Sequence, residues 1–164
     1  MSLPSQKTVL DAVRLKINRC ESRLSTPKMN AVRFDSVVIS TLGFYRFIQE
    51  LKTMSNENSI WLLVDEPDPE TYFYRHFGRF PLADVGRIVS ASEYISVLNR
   101  DPGDSPADAI SINWFRMYIV PDSERWLIRC ERRDDDELDG ELLVPSEWRE
   151  SLTREFSFLQ TSPP

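Results

Sequence analysis

The side chains best suited to chemistry are concentrated in one acidic segment, ERRDDDELDGELL, at residues 131–143. Six of the eight residues from 134 to 141 are acidic, and two arginines come just before them. The frame that begins at Asp135 has oxygen ligands at alternate positions and then a glycine, like the first half of a calcium-binding loop. Its twelfth residue is Ser146 rather than a glutamate. We therefore expect no metal site in this segment.

The same segment also fits a hairpin connection between two strands. The Asp139–Gly140 pair is a turn dipeptide, and charged side chains keep the end of a sheet in solvent. Four nearby arginines could pair with these carboxylates, namely Arg125, Arg129, Arg132 and Arg133.

A third interpretation of the acidic segment is a binding surface. Two further acidic stretches, DEPDPE at residues 65–70 and DPGDSPAD at residues 101–108, strengthen it. If the three stretches lie on one side, the protein presents a broad negative face that attracts a basic partner in a fast, salt-sensitive association. The sequence leaves open whether they converge.

A second concentration of reactive side chains is YFYRHFGRF, residues 72–80, with five aromatics, two arginines and the sole histidine of the chain. Such a stretch fits a core segment, a patch that contacts a partner, a ligand pocket or a surface that stacks nucleic-acid bases. His76 alone cannot form a two-histidine acid–base pair or a multi-histidine metal site. No nucleotide-binding, metalloprotease or hydrolase signature is present, so we predict no catalytic residues, metal or cofactor.

Length and composition indicate a globular protein. The chain has 164 residues, 41% of them hydrophobic, which predicts a single domain spanning residues 1–164 with 160–164 as a flexible tail. No apolar run approaches a membrane span, and MSLPSQKTVL lacks the features of a secretory signal. Cys20 and Cys130 fall on the apolar phase of predicted elements. We therefore expect buried, reduced thiols in a cytoplasmic protein.

Charge is unevenly distributed along the chain. Residues 1–33 hold seven basic and two acidic residues, whereas the remainder holds 13 basic and 24 acidic residues, and the net charge is −6. We expect a basic first helix to be held on an acidic body by its own charges. The acidic body should repel nucleic acid and attract basic partners.

Apolar residues at helical spacing predict four helices. The first covers residues 6–24 and is stopped before Pro27, and the second covers 41–54. A third begins at Ser90, where Ser90 and Glu93 have capping-box spacing, and the last covers 145–159. The segment SVVIS, residues 36–40, fits either the first turns of the second helix or a short strand.

Short apolar or alternating runs predict the strands. They are residues 60–64, 109–120, 125–132 and 141–144, with a β-bulge near Trp114 and Phe115 where the alternation changes phase. The predicted fold is an α+β single domain, with an antiparallel sheet that forms a β-meander in the C-terminal half. Helices are expected to pack mainly on one face.

The predicted strand–turn–strand FRMYIVPDSERWLIRCERRDDDEL, residues 115–138, together with the size and acidity of the chain, resembles the small acidic immunity proteins with which bacteria neutralise their own toxins. The resemblance implies a non-enzymatic protein that binds one cognate toxin and masks its basic active site with carboxylates. It implies neither nucleic-acid nor membrane binding, and it leaves the oligomeric state open.

On this hypothesis the partner-binding residues come from the acidic stretches and the aromatic stretch. They are Asp134, Asp135, Asp136, Glu137 and Asp139, then Asp101, Asp104 and Asp108, with Tyr72 and Tyr74. Three alternatives remain: a secretion chaperone for an effector, a small-ligand-binding domain at the aromatic stretch, and a hydrolase that uses carboxylates with His76.

Overall fold

The structure, a computed structural model, describes residues 5–24, 31–135 and 137–159. Its centre is an antiparallel sheet of six strands in the order β1-β6-β5-β4-β2-β3. The strands are β1 (Ala31–Asp35), β2 (Ile60–Glu66), β3 (Leu82–Asp84), β4 (Arg116–Pro121), β5 (Leu127–Arg132) and β6 (Leu138–Leu143). The consecutive strands β4, β5 and β6 form the β-meander expected in the C-terminal half.

Five helices surround the sheet in the described residues. They are α1 (Gln6–Leu24), α2 (Leu42–Ser55), α3 (Arg75–Phe77), α4 (Ala91–Leu98) and α5 (Ser146–Glu155). A π-helical turn (Pro69–Tyr74) leads directly into α3, and the SVVIS segment is a separate 3-10 helix (Ser36–Ser40) rather than part of α2 or a strand.

Successive residues of each strand face opposite sides of the sheet, so the sheet contributes to two separate cores. These two cores differ in size. One face packs against α2, α4 and α5 in the larger core, to which the strands contribute Leu62, Met117, Ile119, Ile128 and Leu142. The other face packs against α1 in a smaller core, with Leu63, Tyr118, Val120, Leu127 and Leu143. The predicted α+β class, with helices mainly on one face, is therefore confirmed.

Helix α1 is held on its face by ion pairs as well as by apolar packing. Buried Leu10, Val13, Ile17 and Cys20 face the sheet. Around them the basic side chains pair with the body of the protein: Lys7 and Arg14 with Glu70, Lys16 with Asp122, and Arg19 with Glu124. The expectation that the basic first helix binds an acidic body is confirmed.

The predicted strand over residues 109–120 is wrong in its first half. Residues 110–113 form turns, and strand β4 begins only at Arg116. Trp114 lies just before this strand with its ring buried, and its Nε1 donates to the Ser111 carbonyl of the preceding turn at 3.2 Å. The register irregularity lies on the partner strand β2, between Val64 and Glu66 and opposite Met117 and Arg116, rather than within the chain at Trp114 and Phe115.

The Asp139–Gly140 pair is not a turn. Both residues lie inside β6, opposite Asp35 and Phe34 of β1, and the connection between β5 and β6 is residues 133–137. A Cβ atom on Gly140 would lie 2.4 Å from the Phe34 ring. Glycine is present because an aromatic ring packs on the backbone, a use that a sequence does not distinguish from a turn.

Two strands, β1 and β3, were not predicted. Each is an edge strand, of five and three residues respectively, and such short runs give little alternation to detect. At α4, the Ser90 hydroxyl accepts from the Glu93 N–H as expected, but the Glu93 carboxylate accepts from the Val89 N–H rather than from that of Ser90. Pro27 and the predicted tail at 160–164 lie outside the described residues.

Candidate partner-binding surface at one end of the sheet

The three acidic stretches connect to the same end of the sheet. Strand β2 ends there, β4 begins there, and β5 and β6 are joined there. Phe115 links these elements, because its N–H donates to the Glu66 carbonyl at 2.7 Å and its carbonyl accepts from the Arg132 N–H at 2.8 Å. We call this end, with residues 65–70, 101–115 and 133–139, the acidic end.

The β5–β6 connection presents the most open carboxylates of the acidic end. Asp134 and Asp135 are exposed, and neither forms an ion pair within the described residues. Asp135 Oδ1 accepts from the Glu137 N–H at 3.2 Å, which shapes the turn. Glu137 and Asp139 are both bound by Arg133, at 3.5 and 2.5 Å. Asp136 lies outside the described residues.

The carboxylates of residues 65–70 are mostly engaged within the protein. Asp65 accepts two hydrogen bonds from the Arg116 guanidinium, at 2.9 and 3.1 Å. Asp68 Oδ1 accepts from the N–H groups of Glu70 and Thr71, which begin the π-helical turn, and these backbone bonds hold the pKa of Asp68 below its ordinary value. The hydrogen bond from Lys7 likewise lowers the pKa of Glu70.

The stretch 101–108 divides between structural and exposed carboxylates. Asp101 is buried, and its Oδ1 accepts from the N–H groups of Gly103 and Ser105, so it organises its own loop. Asp104 is exposed and pairs with Arg100 at 2.8 Å. Asp108 is half-buried, and its Oδ1 accepts from the Asn113 side chain at 3.5 Å.

The aromatic stretch 72–80 is partly core and partly surface. Phe73 is fully buried, whereas Tyr74 is 51% exposed and stacks on Phe80. Tyr72 is half-buried against Phe73 and His76, and its hydroxyl accepts from the same Asn113 side chain. That bond links the aromatic stretch to the loop that carries Asp108. The structure brings Tyr72 to the acidic stretches, while exposed His76 has a ring contact and no carboxylate partner in the described part of the chain.

Two exposed apolar side chains at the acidic end were missed by sequence reasoning. Phe115 is 52% exposed and Ile112 is 63% exposed. Both were assigned to a strand, in which alternate residues would be buried. The signal that could have separated them was the polar composition of DPGDSPADAISIN before Trp114, which is typical of a loop.

A cleft of 820 Å³ lies beside the edge strand β3. Its walls come from the start of α1, from Phe77, Arg79 and Phe80 of the aromatic stretch, from α4 and from the turn after it. Arg79 is exposed and has no ion pair with any other described residue. The volume is in the range of small-molecule sites, and the aromatic stretch does contribute to a cavity.

The two cysteine thiols lie within the two cores. Cys20 packs in the smaller core and Cys130 in the larger. Burial raises the pKa of Cys20 to about 12 and also raises the pKa of Cys130. Both thiols are therefore protonated at neutral pH and poor nucleophiles.

The described residues lack both a cluster of metal ligands and a membrane-spanning helix. They contain no group of three or more His, Cys, Asp or Glu side chains that could hold a metal ion. None of the helices they form is both long and apolar enough to cross a membrane. Comparisons with protein-family models, curated proteins and solved structures found no match to this chain.

Proposed function

We propose that this chain is a protein-binding domain whose acidic end docks on a basic surface of a partner protein, in the manner of an immunity protein that neutralises a toxin. The observation that carries the proposal is that the chain leaves β2, enters β4 and connects β5 to β6 at one end of the sheet through its three acidic stretches, where Asp134 and Asp135 stand exposed without ion pairs among the described residues. Carboxylates left free in this way can pair with a partner's cations.

The acidic stretches have different roles in this proposal. The β5–β6 connection supplies charges for the partner, with Asp104 and Asp108 at the side of the surface. Arg133 holds Glu137 and Asp139 in place, and a basic partner competes with it for them. Asp101 and residues 65–70 support the surface from within. Masking of a basic active site would need no catalytic group on this chain.

The proposal predicts separate effects on binding and stability. Asp134→Asn, Asp135→Asn and Asp136→Asn together remove three charges. Since exposed charges contribute about 0–1 kcal/mol each, the variant should keep nearly the same Tm. Partners would be captured from native lysate on the immobilised protein, eluted with a salt gradient and identified. The purified partner should then bind the triple variant more weakly and with a shallower salt dependence.

The matched control removes three charges elsewhere. Glu147, Glu150 and Glu155 lie on α5, which begins beyond the end of β6 that is opposite to the acidic end, and all three are exposed. Their replacement by Gln should leave capture and the salt dependence of binding unchanged. Equal weakening by both triple variants would show that only net charge matters, and it would overturn the proposed surface.

A further inference from the structure

The acidic end also carries apolar side chains that the charge argument does not use. Among the described residues, seven large apolar side chains are exposed: Leu15, Val37, Leu42, Tyr74, Val89, Ile112 and Phe115. Ile112 and Phe115 belong to the loop that enters β4 at the acidic end. The largest hot spots of protein interfaces are apolar or aromatic anchors surrounded by polar residues, so this pair stands where an anchor is needed.

Phe115 is presented on a backbone held from two sides. Its N–H binds Glu66 at the end of β2, and its carbonyl binds Arg132 at the end of β5. The neighbouring Trp114 is 2% exposed, and the Arg132 guanidinium lies 5.1 Å from the centre of its ring. The main chain at Phe115 is therefore fixed while half of the residue remains in solvent. A fixed anchor loses less conformational entropy on binding than one on a loose loop.

Ile112 is held in a similar way by the turn that contains it. Its N–H donates to the Ala109 carbonyl at 3.0 Å, and the next residue, Asn113, donates to the same carbonyl at 2.9 Å. The Asn113 side chain contacts Asp108 and Tyr72. Ile112 is therefore exposed on a turn that hydrogen-bonds to Asp108 and Tyr72, two of the predicted partner-binding residues.

We infer that Phe115 and Ile112 are the apolar anchors of the acidic end, and that they select basic partners in which apolar side chains stand between the lysines or arginines. This inference rests on the proposed function. The carboxylates attract any cationic chain, and the anchors separate a partner with apolar side chains from one that is merely basic. Charge complementarity determines that the partner is positively charged, and burial of the anchors determines how tightly it binds.

The test uses two fluorescein-labelled peptides of equal charge, (Gly-Lys)6 and (Leu-Lys)6, with the whole chain and fluorescence anisotropy at low salt. The wild type should bind (Leu-Lys)6 about tenfold tighter, as expected if one or two large side chains leave water on binding. Phe115→Ser with Ile112→Ser should abolish that preference without changing the weaker binding of (Gly-Lys)6. The Asn triple variant should weaken binding of both peptides.

The matched control is Val89→Ser. Val89 is 87% exposed, more than either anchor, and it follows Gly86, which lies against the backbone at the start of β2, the opposite end of that strand. This variant should keep the preference for (Leu-Lys)6. The Tm of each variant is measured as well, and it should be unchanged because the substituted side chains are largely in solvent.

Failure of the acidic surface and failure of the apolar anchors would give different binding results with the two peptides. If neither peptide binds the wild type, or if the Asn triple variant binds both as well as the wild type does, the acidic end is not a binding surface and both ideas fail. If the wild type binds both peptides with equal affinity, the anchor inference is overturned and the acidic surface stands. The same holds if the Phe115 and Ile112 variant keeps the preference, or if Val89→Ser loses it.

Discussion

The acidic residues of 65–70 and the described acidic residues of the β5–β6 connection, Asp134, Asp135 and Glu137, lie at the same end of the sheet, yet their carboxylates meet different neighbours. The first group contacts Arg116 of β4 and the basic side chains of α1. The second group has Arg133 from its own connection, which leaves Asp134 and Asp135 unpaired among the described residues. One group therefore stabilises the fold, and the other is available to a partner.

The position of α1 accounts for the difference. Lys7 and Arg14 are seven residues apart, so they lie on one side of the helix, and both reach Glu70. Helix α1 packs across β4 and β5, and its first turns reach Glu70, just after β2 leaves the sheet, whereas its far end reaches Arg129 through Glu21 rather than the β5–β6 connection. Acidic composition alone does not distinguish a structural loop from a binding loop. The basic residues that face each loop do.

The largest loss of stability is expected at Gly140, in the acidic segment whose sequence fits a loop. Gly140→Ala places a Cβ against the Phe34 ring and should cost about 1–3 kcal/mol, as overpacking of a core does. The free energy of unfolding from urea denaturation is the measurement. Gly43→Ala in α2 is the control, because its new Cβ would have one neighbour, at 3.8 Å. A Gly140 variant as stable as the control would mean that this part of the segment is a loop after all.

A smaller loss of stability should distinguish the acidic residues of 65–70 from those of the β5–β6 connection. Asp68→Ala removes the side chain that accepts from two N–H groups at the start of the π-helical turn, and loss of such a cap costs about 0.5–2 kcal/mol. Asp134→Ala should change the free energy of unfolding by no more than about 0.5 kcal/mol, because its side chain is exposed and unpaired in the described structure. The free energy of unfolding of both variants is measured by urea denaturation and compared with that of the wild type. Equal losses would contradict the division of roles.

The smallest effect is the pH dependence of the stability that Asp68 and Glu70 contribute. The folded-state pKa values of Asp68 and Glu70 lie below the ordinary values of 3.8 and 4.5. Their contribution to stability is therefore fully present above those values, and it is lost as the pH falls through them towards the folded-state pKa values. The stability gap between wild type and Asp68→Asn with Glu70→Gln should shrink between about pH 6 and pH 3. A gap of constant size would show that ionisation of these carboxylates does not stabilise the fold.

Long periodic segments were predictable from the sequence, and local exceptions were not. The helices of residues 6–24 and 41–54 have apolar spacing over several turns, and the structure has them at nearly those bounds. Strand β5 was predictable from its alternation, whereas β6 begins at Leu138, three residues before the predicted strand of residues 141–144. Trp114 and Gly140 could not be assigned, since the role of each depends on a distant neighbour: Arg132 over the Trp114 ring, and Phe34 on the Gly140 backbone.

The candidate site was predictable in composition but not in geometry. The acidic residues are visible in the sequence, whereas their connection to one end of the sheet depends on the pairing of β2 with β4, which joins residues 50 or more positions apart. The exposed state of Phe115 depends on its place between buried Trp114 and the start of β4 at Arg116. Long-range pairing and one buried ring therefore decide which charged and apolar side chains share a surface.

The placement of Asp139 and Gly140 within β6 has a consequence for how the protein ages. In a flexible loop, the backbone nitrogen of a glycine that follows an aspartate attacks the side-chain carboxyl with loss of water, and hydrolysis then opens the resulting succinimide partly to isoaspartate. Strand geometry keeps these atoms apart, with β1 and β5 paired on either side and the Phe34 ring against the glycine. A sequence that would be a chemical weak point in a turn is thus durable here, and slow damage should fall first on other parts of the acidic end.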